Sequence, residues 1–215
     1  SGIADIFSNP ADFALRRAAA YPADYENMPI RASTLTKSLV GLVAGAELRI
    51  FQRVDIGQLA SFYMLDTRQY RDRQLCSKDG KLGSSVVNPA KCADWLDPKR
   101  TILGIQQEAW LSAELASAKQ RGATWNVLAQ STLFGSRDNN PSIEQGFFND
   151  GWDGYAPARQ RLTDALQKNA VSNPVMLGGD VHENWVGYLK ADYSQTAAAQ
   201  ASAAIGVEFC GTSIT

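Results

Sequence analysis

Short, nearly unbroken apolar runs alternate along this chain with longer amphipathic ones. LASFYMLD and NPVMLGGD carry few polar residues over their central positions, and WNVLAQSTLF opens on the mostly apolar WNVLA. Such runs read as strands, and LASFYMLD in particular as one covered on both faces. ELRIFQRVDIG alternates apolar and polar residues, as a half-buried strand does. Gly57 separates it from LASFYMLD, which predicts a hairpin. NWVGYLKADY and IGVEFCG supply two further strands. IQQEAWLSAELASAKQRG has the spacing of an amphipathic helix that ends at Gly122. PARQRLTDALQKNA predicts another helix, with Pro157 near its start. Residues 9–21 (NPADFALRRAAAY) predict a helix capped by Asn9, with Pro10 at its first position. RASTLTKSLVGLVAG also has helical spacing and ends in glycines.

Helices that alternate with apolar strands predict an α/β layered sheet. The 215 residues suffice for one sizeable core, and neither an internal repeat nor a clear linker divides them. Hydrophobic residues make up 45% and charged residues 20%, an ordinary globular balance. The formal net charge of −1 gives no electrostatic reason to propose a nucleic-acid partner or an anionic membrane. SLVGLVAGAEL is too short to cross a bilayer and holds two glycines, so no transmembrane segment is expected. SGIADIFSNP lacks the basic-then-apolar pattern of a signal peptide, which leaves the compartment open. The last residues, VEFCGTSIT, stop just after a strand, which leads us to expect a piece of something larger.

Residues 69–101 form a loop unusually long for a compact domain; such loops are often functional or cross-linked. Cys76 and Cys92 flank its polar part, CSKDGKLGSSVVNPAKC. A disulfide between them suits an exported protein and would contribute roughly 3 kcal/mol. The alternative is two unpaired thiols, and the scarcity of other order in the loop favours the disulfide. Cys210 reads as a small buried hydrophobe. No CxxC spacing supports a metal site built from cysteines.

In open α/β sheets, functional side chains gather at the carboxyl ends of strands. Asp180 follows VMLGG, Asp66 and Arg68 follow FYML, and Gln130 and Ser131 close WNVLAQS. In GGDVH, Gly178 and Gly179 allow a tight turn beside an ion or phosphate. Asp180 offers a hard carboxylate, and His182, the sole histidine, points to the same side if the segment stays extended. Carboxylate and imidazole together suit zinc, iron or manganese. The competing reading has Asp180 capping a turn and His182 as an ordinary loop residue. Arg68 could fork onto a phosphate, but an internal Asp66–Arg68 ion pair is the simpler expectation. Trp152 and Tyr155, in DGWDGY, either wall a pocket or, more simply, pack the loop onto the following helix. Trp95, Trp110, Trp125 and Trp185 read as core or rim.

Taken together, ENMPIR, LASFYMLDTRQYRDRQ, ILGIQQEAWL, WNVLAQ, DGWDGYAPARQRL, NPVMLGGDVHENW and VEFCGTSIT resemble, in order, alkaline phosphatases of the PhoD type. The resemblance covers nearly the whole chain. It implies a calcineurin-like metallophosphoesterase fold, an α/β/β/α sandwich of two packed sheets flanked by helices. It implies that residues 1–215 are a single catalytic domain, incomplete on the N-terminal side. It also implies hydrolysis of phosphomonoesters, phosphodiesters or both at an iron and calcium centre, other divalent metals being compatible. Export to a periplasmic or extracellular location is implied too, which supports the Cys76–Cys92 disulfide. Asp180 and His182 fall on the family's GDVH run, where metal ligands and catalytic groups are expected, and Arg68 is the candidate for binding substrate. The family's upstream ligands, on an Asp/Cys-bearing strand and a DDHE-like run, have no counterpart here. The isolated piece is therefore expected to be inactive, with a phospholipase D-like diesterase or a structural remnant as the competing readings. Nothing in the sequence fixes an oligomeric state.

Overall fold

Eight strands and three helices are built on residues 49–77, 83–140, 144–193 and 203–212, which are the residues, with Arg16 and Ala20, that the computed structural model describes. Arg16 and Ala20 are helical, in keeping with the helix expected over residues 9–21. The rest of that helix and the run RASTLTKSLVGLVAG lie outside the described residues. The chain divides into two units, Ser1–Ile50 and Phe51–Thr215, and the second holds every element given below.

β1 (Gln52–Ile56) and β2 (Ala60–Met64) pair antiparallel around the turn that contains Gly57, as the hairpin pattern predicts. Gly57 has φ of +51°, a left-handed conformation that glycine adopts without steric cost. After the long loop, α1 (Ile105–Ala116) and the single-turn α2 (Ala118–Arg121) form the amphipathic segment, which breaks at Ser117 and ends at Gly122. β4 (Trp125–Ala129), α3 (Ala156–Lys168), β6 (Pro174–Gly178), β7 (Trp185–Lys190) and β8 (Ala204–Cys210) follow. The six-stranded sheet has the order β1-β2-β4-β6-β8-β7, parallel from β2 through β8 and antiparallel at both edges. Two short strands, β3 (Val86–Val87) and β5 (Phe147–Phe148), pair antiparallel in a separate ribbon. The α/β class is as expected. Among the described residues, this ribbon is the second sheet.

The core follows from the two periodicities. Leu111 and Leu115 on α1 and Leu162 and Leu166 on α3 recur every four residues and are buried. They pack on the sheet face that presents Tyr63, Leu128, Met176 and Leu189. Each such side chain contributes about 1.5–3 kcal/mol on burial. The opposite face is apolar too, because Val54, Phe62, Val127, Val175, Val207 and Tyr188 stand in one cross-strand row. Coverage there is partial: Val127 is buried, whereas Met64 and Tyr188 are exposed. LASFYMLD is thus fully covered on one face only.

The long loop is ordered by three devices where it is described. Cys76 and Cys92 form the expected disulfide, with Cα atoms 6.0 Å apart. β3 pairs with β5, and Cys92, Trp95, Val87 and Phe147 make a small second core. Asn149, fully buried, donates to the Leu75 carbonyl at 2.9 Å and accepts from the Ser85 N–H at 2.7 Å. Trp110 packs against the main core, while Trp125 and Trp185 are rim residues, as read from sequence.

Cys210 is buried and free. Burial, with help from the charges of Glu208 and Asp180, pushes its thiol up to about 11. Thiol titration of the non-reduced protein should therefore find one thiol, and only after unfolding. Reducing the disulfide should lower stability by about 3 kcal/mol, read from the urea midpoint. Three reactive thiols in the native, non-reduced protein would contradict both statements.

Candidate active site

β2, β4 and β6 run parallel, so their carboxyl ends lie along one edge of the sheet. The segments leaving those ends converge on a cleft of about 600 Å³, lined among others by Arg68, Thr132, Asp150, Asp180 and His182. Polar side chains fix the exits of β2 and β4. Gln107 on α1 accepts from the Asp66 N–H and donates to the Asp66 carbonyl, both at 2.8 Å, which pins the exit from β2. Thr67 and Ser131 join the exits of β2 and β4 through their hydroxyls. Gln130 accepts from the Thr132 N–H at 2.9 Å and from the Trp152 indole at 3.1 Å. Gly178 lets β6 pass under the loop after β4, since a Cβ there would meet the Thr132 carbonyl oxygen at 2.2 Å.

Asp66 does not pair with the Arg68 guanidinium, contrary to the simpler expectation. It is buried, and its Oδ1 accepts from the backbone N–H groups of Arg68 at 2.8 Å and Gln69 at 3.0 Å. Those bonds make an Asx turn, a use of a short carboxylate that sequence spacing does not distinguish from an ion pair. The turn sends the Arg68 side chain into the cleft. There Nη1 donates to Asp150 Oδ2 and Nη2 to Asp180 Oδ2, each at 2.8 Å.

Asp150 is the residue that sequence reading missed. Arg71 pairs with its Oδ1 at 2.8 Å, and the Gln74 amide donates to the same oxygen. Burial opposes the charged form of Asp150, but the hydrogen bond from Arg68, the charge of Arg71 and the bond from Gln74 outweigh it and hold the carboxyl below its ordinary range. Arg68 shows the mirror image. Partial burial works against its charge, and Asp150 first, then Asp180, more than compensate. The signal lay in the sequence as a dense basic run, RQYRDRQ, whose three arginines outnumber its one acid, Asp72.

Asp180 and His182 line the cleft together, but not by the route expected. The segment is not extended: Asp180 has φ of +67° and His182 +57°. Val181 N–H bonds back to the Gly179 carbonyl at 2.8 Å, so the chain turns over three residues as soon as it leaves β6. A left-handed conformation costs an ordinary residue roughly 1–2 kcal/mol. Both side chains are well exposed, and the other acceptor-rich neighbour, Glu183, pairs with Arg137 at 3.2 Å. Carboxylate and imidazole are suitable donors for a borderline transition metal. Yet among the described residues no three His, Cys, Asp or Glu side chains come together to hold one. The donor types fit a metal, and the donor count does not.

Trp152 and Tyr155 are almost fully buried in the main core, the simpler of the two readings, although an edge of Trp152 also lines the cleft. Asp153 holds the loop after β4, accepting from the Arg137 N–H at 3.0 Å, the Ser136 hydroxyl at 2.9 Å and Arg159 at 2.7 Å.

The lowered Asp150 group predicts a pH dependence of stability. A depressed native pKa means that its contribution is present above the unfolded value of about 3.9 and is lost as pH falls through the native one. Asp150→Asn should cost roughly 2 kcal/mol near neutral pH. Urea titrations of both proteins should converge as pH falls through the native pKa of Asp150, where the wild-type carboxyl is protonated too. A penalty that does not shrink at all on acidification below the unfolded value would contradict this.

Comparison with known proteins gives a consistent result. The family model described as PhoD-like phosphatase matches residues 3–215. The chain is 40% identical over 203 residues to alkaline phosphatase D of Bacillus subtilis (strain 168), covering 94% of this chain and 31% of that protein. The solved structure of PhoD superposes with a TM-score of 0.79 at 37% identity, covering 96% of this chain and 35% of that one. The chain thus spans about a third of the length of the relatives it matches. The family match across residues 3–215, with 40% identity to a curated relative over nearly the whole chain, places the chain in the PhoD-like phosphatase family.

Proposed function

We propose that this chain carries the phosphate-anchoring edge of a metal-dependent phosphoester hydrolase that acts on phosphomonoesters, phosphodiesters or both. The observation that carries the reading is the position of Arg68, whose guanidinium faces the cleft between two carboxylates at the strand ends. Of its two partners, Asp150 is nearly enclosed and Asp180 is half exposed, with side-chain exposures of 14% and 49%. An exposed pair contributes only about 0–1 kcal/mol, so the Asp180 contact exchanges readily. A phosphoryl group can therefore take the Nη2 side of Arg68 while Asp150 keeps the guanidinium aimed. Bidentate, charge-assisted bonds from Arg match the planar spacing of phosphate oxygens.

Released from Arg68, the Asp180 carboxylate becomes available to a metal beside His182. A metal there would polarise phosphoryl oxygens and activate water, and the family resemblance favours iron and calcium. Further donors would come from outside the described residues. The family match runs across both units of the chain, which supports reading residues 1–215 as one part of a catalytic domain. The Cys76–Cys92 disulfide supports a periplasmic or extracellular setting, and no described helix is long and apolar enough to cross a membrane.

In a longer, active protein that carries this segment, Asp180→Ala and His182→Ala should each lower the metal retained after dialysis and lower hydrolysis of p-nitrophenyl phosphate by about a hundredfold. Arg68→Ala should raise KM for phosphate esters with metal content unchanged. Full activity and full metal content in both Asp180 and His182 variants would remove them from the site.

A further inference from the structure

The β3–β5 ribbon is apolar on both faces, and only one face is used for folding. Val87 and Phe147 are cross-strand partners and are buried against Cys92 and Trp95. Val86 and Phe148 are partners on the opposite face, since side chains alternate along a strand. They stay 56% and 39% exposed. That face opens into the same cleft as Arg68, Asp180 and His182. The ribbon is also held rigidly. Asn149 N–H donates to the Ser85 carbonyl at 3.0 Å, its side chain joins Ser85 to Leu75, and the disulfide closes the segment that contains β3.

We infer, on the basis of the phosphoester reading above, that Val86 and Phe148 form an apolar subsite for the organic arm of the ester, so that the preferred substrates carry an aromatic or aliphatic group beside the phosphate. Binding clefts combine apolar walls with a few orienting polar groups. Here the charged anchor and the apolar wall line one space, and the wall is built before any ligand arrives. A fixed wall loses little entropy on binding, so covering it yields net affinity. Esters whose alcohol is itself hydrated, such as glycerol phosphate, gain nothing from Val86 and Phe148.

The test is equilibrium binding to this chain, by calorimetry, of inorganic phosphate, glycerol 2-phosphate and phenyl phosphate. Phenyl phosphate should bind about tenfold more tightly than glycerol 2-phosphate, the scale of one well-placed apolar contact. Phe148→Ser should erase most of that ratio and Phe148→Leu should keep most of it, with Val86→Ser as a second variant whose side chain is smaller and more exposed. Equal binding of the two esters, or an unchanged ratio in both serine variants, overturns the apolar subsite while phosphate binding leaves the phosphoester reading standing. If none of the three ligands binds, the phosphate-anchoring role of Arg68 fails and the subsite falls with it.

Discussion

One guanidinium holds the cleft together. Arg68 leaves the end of β2 and reaches two carboxylates, one on the loop after β5 and one just beyond β6, 82 and 112 residues further along the chain. The parallel centre of the sheet makes this geometry available, because it brings the exits of β2, β4 and β6 to one edge. Asp66 turns the chain at the strand end, Gln107 locks that turn from α1, and the Arg68 side chain extends from it into the cleft.

The two halves of this contact differ in energy. Asp150 also receives Arg71 and Gln74 and is mostly enclosed, so its bonds are charge-assisted and poorly hydrated. Asp180 meets Arg68 in half-open water, where ion pairs contribute little. A strong contact on one side and a weak one on the other suits a group that must stay positioned while exchanging one partner for a ligand. Asp180 and His182 themselves sit in left-handed backbone, an arrangement that persists only where surrounding structure enforces it.

Much of the fold was legible because hydrophobic periodicity reports burial directly. The strands at Ala60–Met64, Trp125–Ala129 and Pro174–Gly178, the Gly57 hairpin and both long helices follow from it. The Cys76–Cys92 bridge was legible from two cysteines flanking a long polar loop, whereas the β3–β5 ribbon and the small core that also order that loop were not. The site was legible only in part. Spacing placed Asp180, His182 and Arg68 at strand ends, but it could not show which carboxylate Arg68 would choose. Asp66 is two residues away and is consumed by backbone N–H groups, whereas Asp150 is 82 residues away and is brought in by the fold. Long-range ion pairs leave no local pattern. The turn at Gly179–Val181 was hidden for a related reason, since Asp and His carry no sequence signal for positive φ comparable to that of glycine.

The central claim is that Arg68 and Asp150 act as a coupled pair that positions the guanidinium. A double-mutant cycle in stability, using Arg68→Ala, Asp150→Asn and the double variant, measures that coupling directly. The account predicts a coupling energy of about 1–2 kcal/mol at neutral pH. Additive effects, with no coupling beyond about 0.3 kcal/mol, would contradict it.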